Sequence, residues 1–392
     1  MMPLPANTQR RDKVRVLILT DEMEVGGTQR QIVHMACALD RDLYEVKIAY
    51  FRNRSFLVDE LEAAGISVTE ITKKTRVDLR FVGELVKFLR EERFDVIHCY
   101  AFSAEFWGAV GRRFLPVAMR PALITSIRGK YDWYSSLQWR IKRWTALQSI
   151  KIIANSHAGA EYALKKMRLE RGAVDVVYNG VAEMTTVIRH EISGVTSTTP
   201  HPPTIKALYV GRLVEVKNIS VLLRAMRKLQ DGMVPGRLLI VGDGPLRKVL
   251  IDQVEALNLS NHVEFLGQRS DTQALMAAAD FLVLPSFWEG LSNVILEAMM
   301  VGTPVIASAV GGSVELVEHM KTGLLFPSDD AAALADAMRC LATNTALRDR
   351  LGNAGRQRAV EQFSIAAMVR TMGEIYSRSV APARPHNSVK KV

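Results

Sequence analysis

Short apolar runs that end near glycine, asparagine or proline and pass directly into helix-spaced apolar positions recur along this 392-residue chain. That alternation leaves few folds open. A strand buried on both faces and followed by an amphipathic helix is the repeating unit of a parallel, doubly wound α/β sheet. The first series of strands is read at 14–19, 46–50, 67–71, 95–100, 123–129, 150–156 and 174–181. A second series follows at 206–210, 237–241, 263–267, 280–285, 304–308 and 322–326, with helices expected between the strands and at 329–342, 346–360 and 364–378. Between the two series, 184–204 is rich in Ser, Thr and Pro and carries no apolar periodicity, so the domain boundary is set there. The expected organisation is an N-terminal domain over 1–183, a linker over 184–204 and a C-terminal domain over 205–363. A helix at 364–380 is expected to pack back toward the N-terminal domain, ahead of a disordered tail at 381–392.

The richest stretch is 286–299. The run Asp280–Leu284 ends at Pro285, and after Gly290 the apolar spacing becomes helical through Leu291, Val294, Ile295, Ala298 and Met299. A helix is therefore expected to start at Leu291 or Ser292, with backbone N–H groups at 291–293 directed at the ridge where α/β sheets take ligands. Glu289 falls in the turn and Glu297 inside the helix. A carboxylate near a helix start is common for dipole reasons alone. Glu297, however, stands among Leu296, Ala298, Met299 and Met300, where a charge needs a partner. Two further loops follow strands. Gly211, Arg212 and Lys217 lie on one, where a solvated basic pair is the plainer reading; Gly26 and Gly27 lie on the other, as a phosphate cradle or a tight turn with positive φ.

Hydrophobic residues make up 48% of the chain and charged residues 23%, which suits a globular protein. The net charge of +10 is uneven: residues 1–200 carry 30 Lys and Arg against 23 Asp and Glu, which points to an anionic partner for that half. Cys37, Cys99 and Cys340 form no C-x-x-C pair and are read as buried, reduced thiols of a cytoplasmic protein. No apolar run of roughly 18 residues occurs, and 1–11 lacks the apolar segment of a secretory signal. Neither half has G-x-G-x-x-G followed by a suitably spaced acid, which argues against a dinucleotide oxidoreductase. His98 and His157 are read as core histidines. The segment 128–151 interleaves Trp133, Trp139 and Trp144 with basic residues. It suits contact with a membrane headgroup layer, and equally a helix packed through Leu137, Ile141, Trp144 and Leu147; nucleic acid is set aside.

Taken together, Gly26-Gly27-Thr28-Gln29, Asn179-Gly180-Val181, Gly211-Arg212-Leu213 through Lys217-Asn218, Gly242-Asp243-Gly244-Pro245 and the Glu289 to Glu297 segment resemble the motifs of retaining glycosyltransferases of family 4, in order and spacing. The resemblance covers nearly the whole chain. It implies the GT-B fold, two Rossmann-like doubly wound parallel-sheet domains facing across a cleft. It also implies a hexosyltransferase-type enzyme of polysaccharide biosynthesis that moves a sugar from a nucleoside-diphosphate sugar. The acceptor it implies is a lipid-linked or surface glycan at the cytoplasmic face of the membrane, contacted peripherally through 128–151. A GT-B protein that binds, hydrolyses or epimerises a nucleotide sugar without transferring it is the alternative.

Under the resemblance Arg212 and Lys217 stabilise the leaving diphosphate, Glu289 contacts the donor sugar and Glu297 binds the ribose hydroxyls. Gly26, Gly27, Gly211, Gly290, Leu291, Ser292 and Asn293 complete the donor site, and neither cofactor nor metal is expected. Arg128 stands where members of the family often carry a sugar-contacting histidine, and it is counted with the donor-binding residues.

Overall fold

The computed structural model describes residues 13–75, 78–170, 172–183 and 205–380. The expected linker at 184–204 and tail at 381–392 lie outside the described residues. The chain divides into two compact units. One comprises Met1–Ala154, Ala160–Val177 and Met368–Val392, and the other Asn155–Gly159 and Tyr178–Ala367.

The first unit is built on seven parallel strands: β1 (Val14–Glu22), β2 (Tyr44–Arg52), β3 (Ser67–Glu70), β4 (Val96–Tyr100), β5 (Ala122–Ile127), β6 (Lys151–Ala154) and β7 (Val174–Val176). Their order across the sheet is β3-β2-β1-β4-β5-β6-β7. The order reverses between β1 and β4, so the connections leaving these two strands run to opposite sides and open a crevice at their carboxyl ends. Val16 to Leu19 and the facing residues Val96 and Ile97 are fully buried, as a sheet covered on both faces requires. From Met368 onward the last helix (Ile365–Val380) belongs to this unit, where the Tyr44 hydroxyl donates to the Gly373 carbonyl at 2.8 Å.

The second unit has six parallel strands: β8 (Ile205–Val210), β9 (Gly236–Val241), β10 (Val263–Gly267), β11 (Phe281–Leu284), β12 (Val305–Ser308) and β13 (Leu324–Phe326), in the order β10-β9-β8-β11-β12-β13. Its switch point lies between β8 and β11. The helix Ile219–Asp231 buries Ile219, Leu222, Leu223 and Met226 on one face, and Asn293–Met300 buries Ile295, Leu296, Met299 and Met300. Asn155–Gly159 group with this unit because Glu315 accepts the backbone N–H groups of His157 and Ala158, each at 2.8 Å. Both sheets are thus doubly wound and Rossmann-like, the two-domain architecture of the GT-B class.

Three local readings need correction. Only Cys99 is buried; Cys37 and Cys340 are partly exposed. The strand read at 174–181 ends at Val176, and its continuation is loop. The segment 128–151 contains a helix, Ser136–Gln148, but its buried face is Trp139, Lys142, Thr145 and Ala146 rather than Leu137, Ile141, Trp144 and Leu147. Leu137 is exposed. The face turns because Lys142 is drawn inward by Glu105, which lies at 2.7 Å with both side chains sealed from solvent at 3% and 1% exposure.

Candidate active site

At the second unit's switch point four loops leave the carboxyl ends of β8, β9, β11 and β12. The loop after β8 starts at Gly211, whose N–H reaches the Val241 carbonyl at 2.9 Å, and Leu213 N–H reaches the Asp243 carbonyl at 2.9 Å. Gly242 has φ +126°, and a Cβ there would overlap the Gly211 carbonyl oxygen. The loops after β11 and β12 pack as closely. Gly312 N–H donates to the Glu289 carbonyl at 3.0 Å, and a Cβ on Gly312 would run into the Gly290 carbonyl. Glycine is demanded here by backbone lying against backbone.

Onto this frame the side chains converge. Lys217 Nζ lies 2.6 Å from Glu289 Oε1, and the Ser286 hydroxyl donates to the same oxygen at 2.5 Å. Glu289 is buried, and Lys217 keeps 22% of its side-chain surface. Behind them the Ser308 hydroxyl donates to the Ser286 carbonyl at 2.5 Å, and Phe287 N–H ties to the Val216 carbonyl at 2.8 Å, joining the two loops that carry the pair. Arg212 is exposed on the same loop as Lys217. Its carbonyl accepts the Tyr209 hydroxyl at 3.1 Å, and that phenol is pushed far above its ordinary pKa by burial, with Glu289 adding to it.

The helix that follows begins at Asn293, two residues later than the earlier of the two expected starts. Ser292 is its cap: it has extended backbone angles, and its hydroxyl accepts the Ile295 N–H at 3.4 Å. Glu289 therefore does not cap the helix; its carboxylate is engaged by Lys217 and Ser286. Leu291 and Ser292 are buried in the turn, with Gly290 and Asn293 partly exposed. Asn293 Oδ1 accepts the Asn179 side-chain amide at 2.8 Å. Glu297 is half-buried on the helix. The structure thus brings Gly211, Arg212, Lys217, Glu289, Gly290, Leu291, Ser292, Asn293 and Glu297 to one sheet edge or the helix leaving it.

The remaining residues predicted to bind the donor, Gly26, Gly27 and Arg128, lie in the first unit. Gly26 caps the helix Gly27–Ala38 with φ −162°, an extended angle open to any residue, so the tight turn with positive φ is not what the pair is for. Arg128 follows β5. Its N–H donates to the Tyr131 hydroxyl at 2.9 Å, and its guanidinium lies 4.4 Å from the centre of the Tyr100 ring. Beneath it His98 is fully buried, bonded to Tyr376 Oη at 2.7 Å and Ser126 Oγ at 2.8 Å. Burial and, after it, the Arg128 charge hold this imidazole well below its usual pKa, which keeps it a neutral core group. His157 belongs to the second unit and is not a core histidine: it is exposed at the start of a helix and presents its backbone N–H to Glu315.

Sequence reasoning missed Ser286 as the second partner of Glu289, although the three-residue spacing within one turn was visible. It also missed Asp21 in β1. Both Asp21 oxygens accept N–H groups at the start of the helix Phe102–Arg113, from Ala104 at 2.5 Å and Ser103 at 3.3 Å. Burial pushes that carboxyl up to about 6 against the pull of these two bonds. Nothing in the local sequence marks it, because its partners lie on another strand's connection. Among the described residues no helix is long and apolar enough to cross a membrane.

Residues 25–183 match the family profile described as Glycosyltransferase Family 4, and residues 198–358 match that of Glycosyl transferases group 1. Together the two profiles take in most of both units. The chain belongs to the group 1 glycosyltransferases. Among curated relatives of this glycosyltransferase, an uncharacterized glycosyltransferase of Methanocaldococcus jannaschii is 28% identical over 70% of this chain and 72% of its own. The Escherichia coli UDP-Gal:alpha-D-GlcNAc-diphosphoundecaprenol alpha-1,3-galactosyltransferase is 25% identical over 76% of this chain and 79% of its own. The Anabaena protein HepE, solved with UDP, superposes on the glycosyltransferase with a TM-score of 0.81 at 23% identity, covering 93% of this chain and all of that one. That likeness speaks for the fold.

Proposed function

We propose that this glycosyltransferase is a retaining, hexosyltransferase-type enzyme that moves a sugar from a nucleoside-diphosphate sugar to a lipid-linked or surface-glycan acceptor. The carrying observation is the Lys217–Glu289–Ser286 cluster at the second switch point, with Arg212 exposed beside it. As the bond from the anomeric carbon to the diphosphate oxygen breaks, negative charge grows on the diphosphate. Arg212 offers a planar fork of donors and Lys217 a point charge to meet it. Backbone N–H groups at 291–293 and the helix start add fixed positive ends. This reading assigns the neutralising charge to those groups and calls on no metal ion. The acceptor hydroxyl oxygen bonds to the anomeric carbon on the face the diphosphate leaves, and its proton passes to the departing phosphate oxygen. Configuration is retained.

Glu289, anchored on one oxygen by Lys217 and Ser286, is the sugar-side contact, and Glu297 takes the ribose hydroxyls. Gly26, Gly27 and Arg128 are assigned to the donor from the first unit. The nucleotide reading is supported by HepE having been solved with UDP, and the acceptor class by the E. coli relative, whose name gives a diphosphoundecaprenol-linked acceptor. Peripheral membrane contact, where it occurs, falls to the exposed part of 128–151, above all Trp133 at 73% exposure, because Trp139 and Lys142 are buried.

The test needs no acceptor. UDP-, GDP- and ADP-sugars are incubated with the enzyme, and slow donor hydrolysis is followed by proton NMR. The released sugar is expected to appear first in the donor's own anomeric configuration, and Arg212→Ala and Lys217→Ala are expected to suppress the release. Inverted first product, or release unaffected by either substitution, contradicts the reading.

A further inference from the structure

The first unit has its own switch point, and a cavity of about 330 Å³ opens beside it. It is lined by Asp21 of β1, Phe51 and Arg52 at the end of β2, Lys73, Lys74 and Thr75 after β3, and Ser103 after β4. Every one of these residues stands at the carboxyl edge of the sheet, where open α/β folds take ligands. The position follows from the register: Ile71 N–H pairs with the Tyr50 carbonyl at 2.9 Å and Lys73 N–H with the Phe51 carbonyl at 3.3 Å, so the chain after β3 is held against β2.

The cavity's charges are unbalanced. Arg52 lies 3.5 Å from Glu22, a long pairing between partly solvated groups. Among the described residues neither Lys73 nor Lys74 is paired with a carboxylate; Lys73 Nζ stands 5.8 Å from the centre of the Trp107 ring, and Lys74 uses its backbone N–H on Asp78 at 3.1 Å. Asp21, the one acid on the lining among the described residues, is committed to the two helix amides and holds its proton up to about 6. Three cations around a polar cavity form a donor-rich surface suited to an anion.

We propose that this cavity binds a phosphate group carried by the acceptor, so that the enzyme glycosylates phosphorylated acceptors. The proposal rests on the transferase reading: a transferase has two substrates, and the nucleotide sugar is assigned to the second unit's switch point. A phosphate fits better than a carboxylate because a single arginine fork satisfies a carboxylate, whereas three cations exceed its needs.

The test uses glycerol phosphate as probe, with UDP at saturation to fill the diphosphate site. Calorimetric titration is expected to show one glycerol phosphate site in the wild type. The Lys73→Ala/Lys74→Ala variant should bind about tenfold more weakly or worse, while its melting temperature and UDP affinity stay at wild-type values. Acetate at the same concentration should not compete. Pelleting with phosphatidylglycerol vesicles, lost in the double variant, assigns the phosphate to a lipid, and titration without pelleting assigns it to a soluble acceptor; both keep the site. Binding that UDP abolishes, or that the double variant retains in full, overturns the proposal. Should UDP fail to bind while glycerol phosphate does, the donor reading falls and the phosphate site stands.

Discussion

Two lysine–glutamate pairs of nearly equal geometry sit at the carboxyl ends of the two sheets, at 2.7 Å for Lys142 and Glu105 and at 2.6 Å for Lys217 and Glu289. They have opposite surroundings. Lys142 also reaches the Ser126 carbonyl at 3.2 Å and stands 5.4 Å from the centre of the Tyr131 ring, while Glu105 accepts the Ser126 N–H at 3.2 Å. Burial pulls the Lys142 ammonium down, but the Glu105 charge, Tyr131 and the hydrogen bond to Glu105 together hold it above its ordinary pKa. Every donor and acceptor is spoken for, so the pair fixes the helix Ser136–Gln148 against the helix Phe102–Arg113 and is closed to any ligand. Lys217 is held by one oxygen of Glu289 and remains partly open to solvent. A charge that can exchange partners is available for chemistry, and a sealed one is structure. The sequence motifs mark Lys217 and leave Lys142 among the cations of a basic stretch.

Breaking the sealed pair has the largest effect. Lys142→Met leaves Glu105 charged and unpaired in the core, and urea unfolding is expected to lose about 3–5 kcal/mol. Glu105→Leu combined with Lys142→Met should recover most of it; a single variant within about 1 kcal/mol of wild type would show that the pair is not sealed. The open pair behaves the other way. Lys217→Ala leaves Glu289 its Ser286 bond and partial access to solvent, and should shift unfolding by about 1–2 kcal/mol, less than the sealed pair. Its turnover should fall about 10²–10³-fold, as when one preorganised donor to developing charge is removed.

Asp21 provides a comparison by pH. Its folded pKa of about 6 lies above the ordinary 3.8, so the folded state binds the proton more tightly than the unfolded chain. The resulting stability is full below about pH 4 and is lost as pH rises through 6, worth about 3 kcal/mol across that window. The difference between the wild-type and Asp21→Asn melting profiles should contain this slope, and superposable profiles would contradict it. The smallest effect falls on Ser286→Ala, which removes one bond to Glu289 and should weaken donor binding by about 1 kcal/mol in calorimetry.

The second unit's site was largely legible in the sequence because it is assembled from loops whose backbones touch. Gly242 and Gly312 are forced by overlap with facing carbonyls, and such requirements leave fixed glycines and fixed spacings around Arg212, Lys217 and Glu289. The succession of strands and helices was legible for another reason: each strand–helix unit carries its own apolar period. The first unit was less legible. Lys142 reads as a surface cation of a basic stretch until Glu105, 37 residues earlier, is brought under it by the sheet. A capping box of Ser135 and Gln138 marks the start of that helix. Asp21, Arg52 and Lys73 come from three different strand ends, and no short motif spans them.

The central claim is that the open pair, and not the sealed one, belongs to the nucleotide site. UDP titrated calorimetrically into wild type, Arg212→Ala and Lys217→Ala measures it directly. Both variants are expected to bind at least about tenfold more weakly than wild type, each with an unliganded melting temperature close to that of wild type. Equal affinity across all three proteins would contradict the assignment.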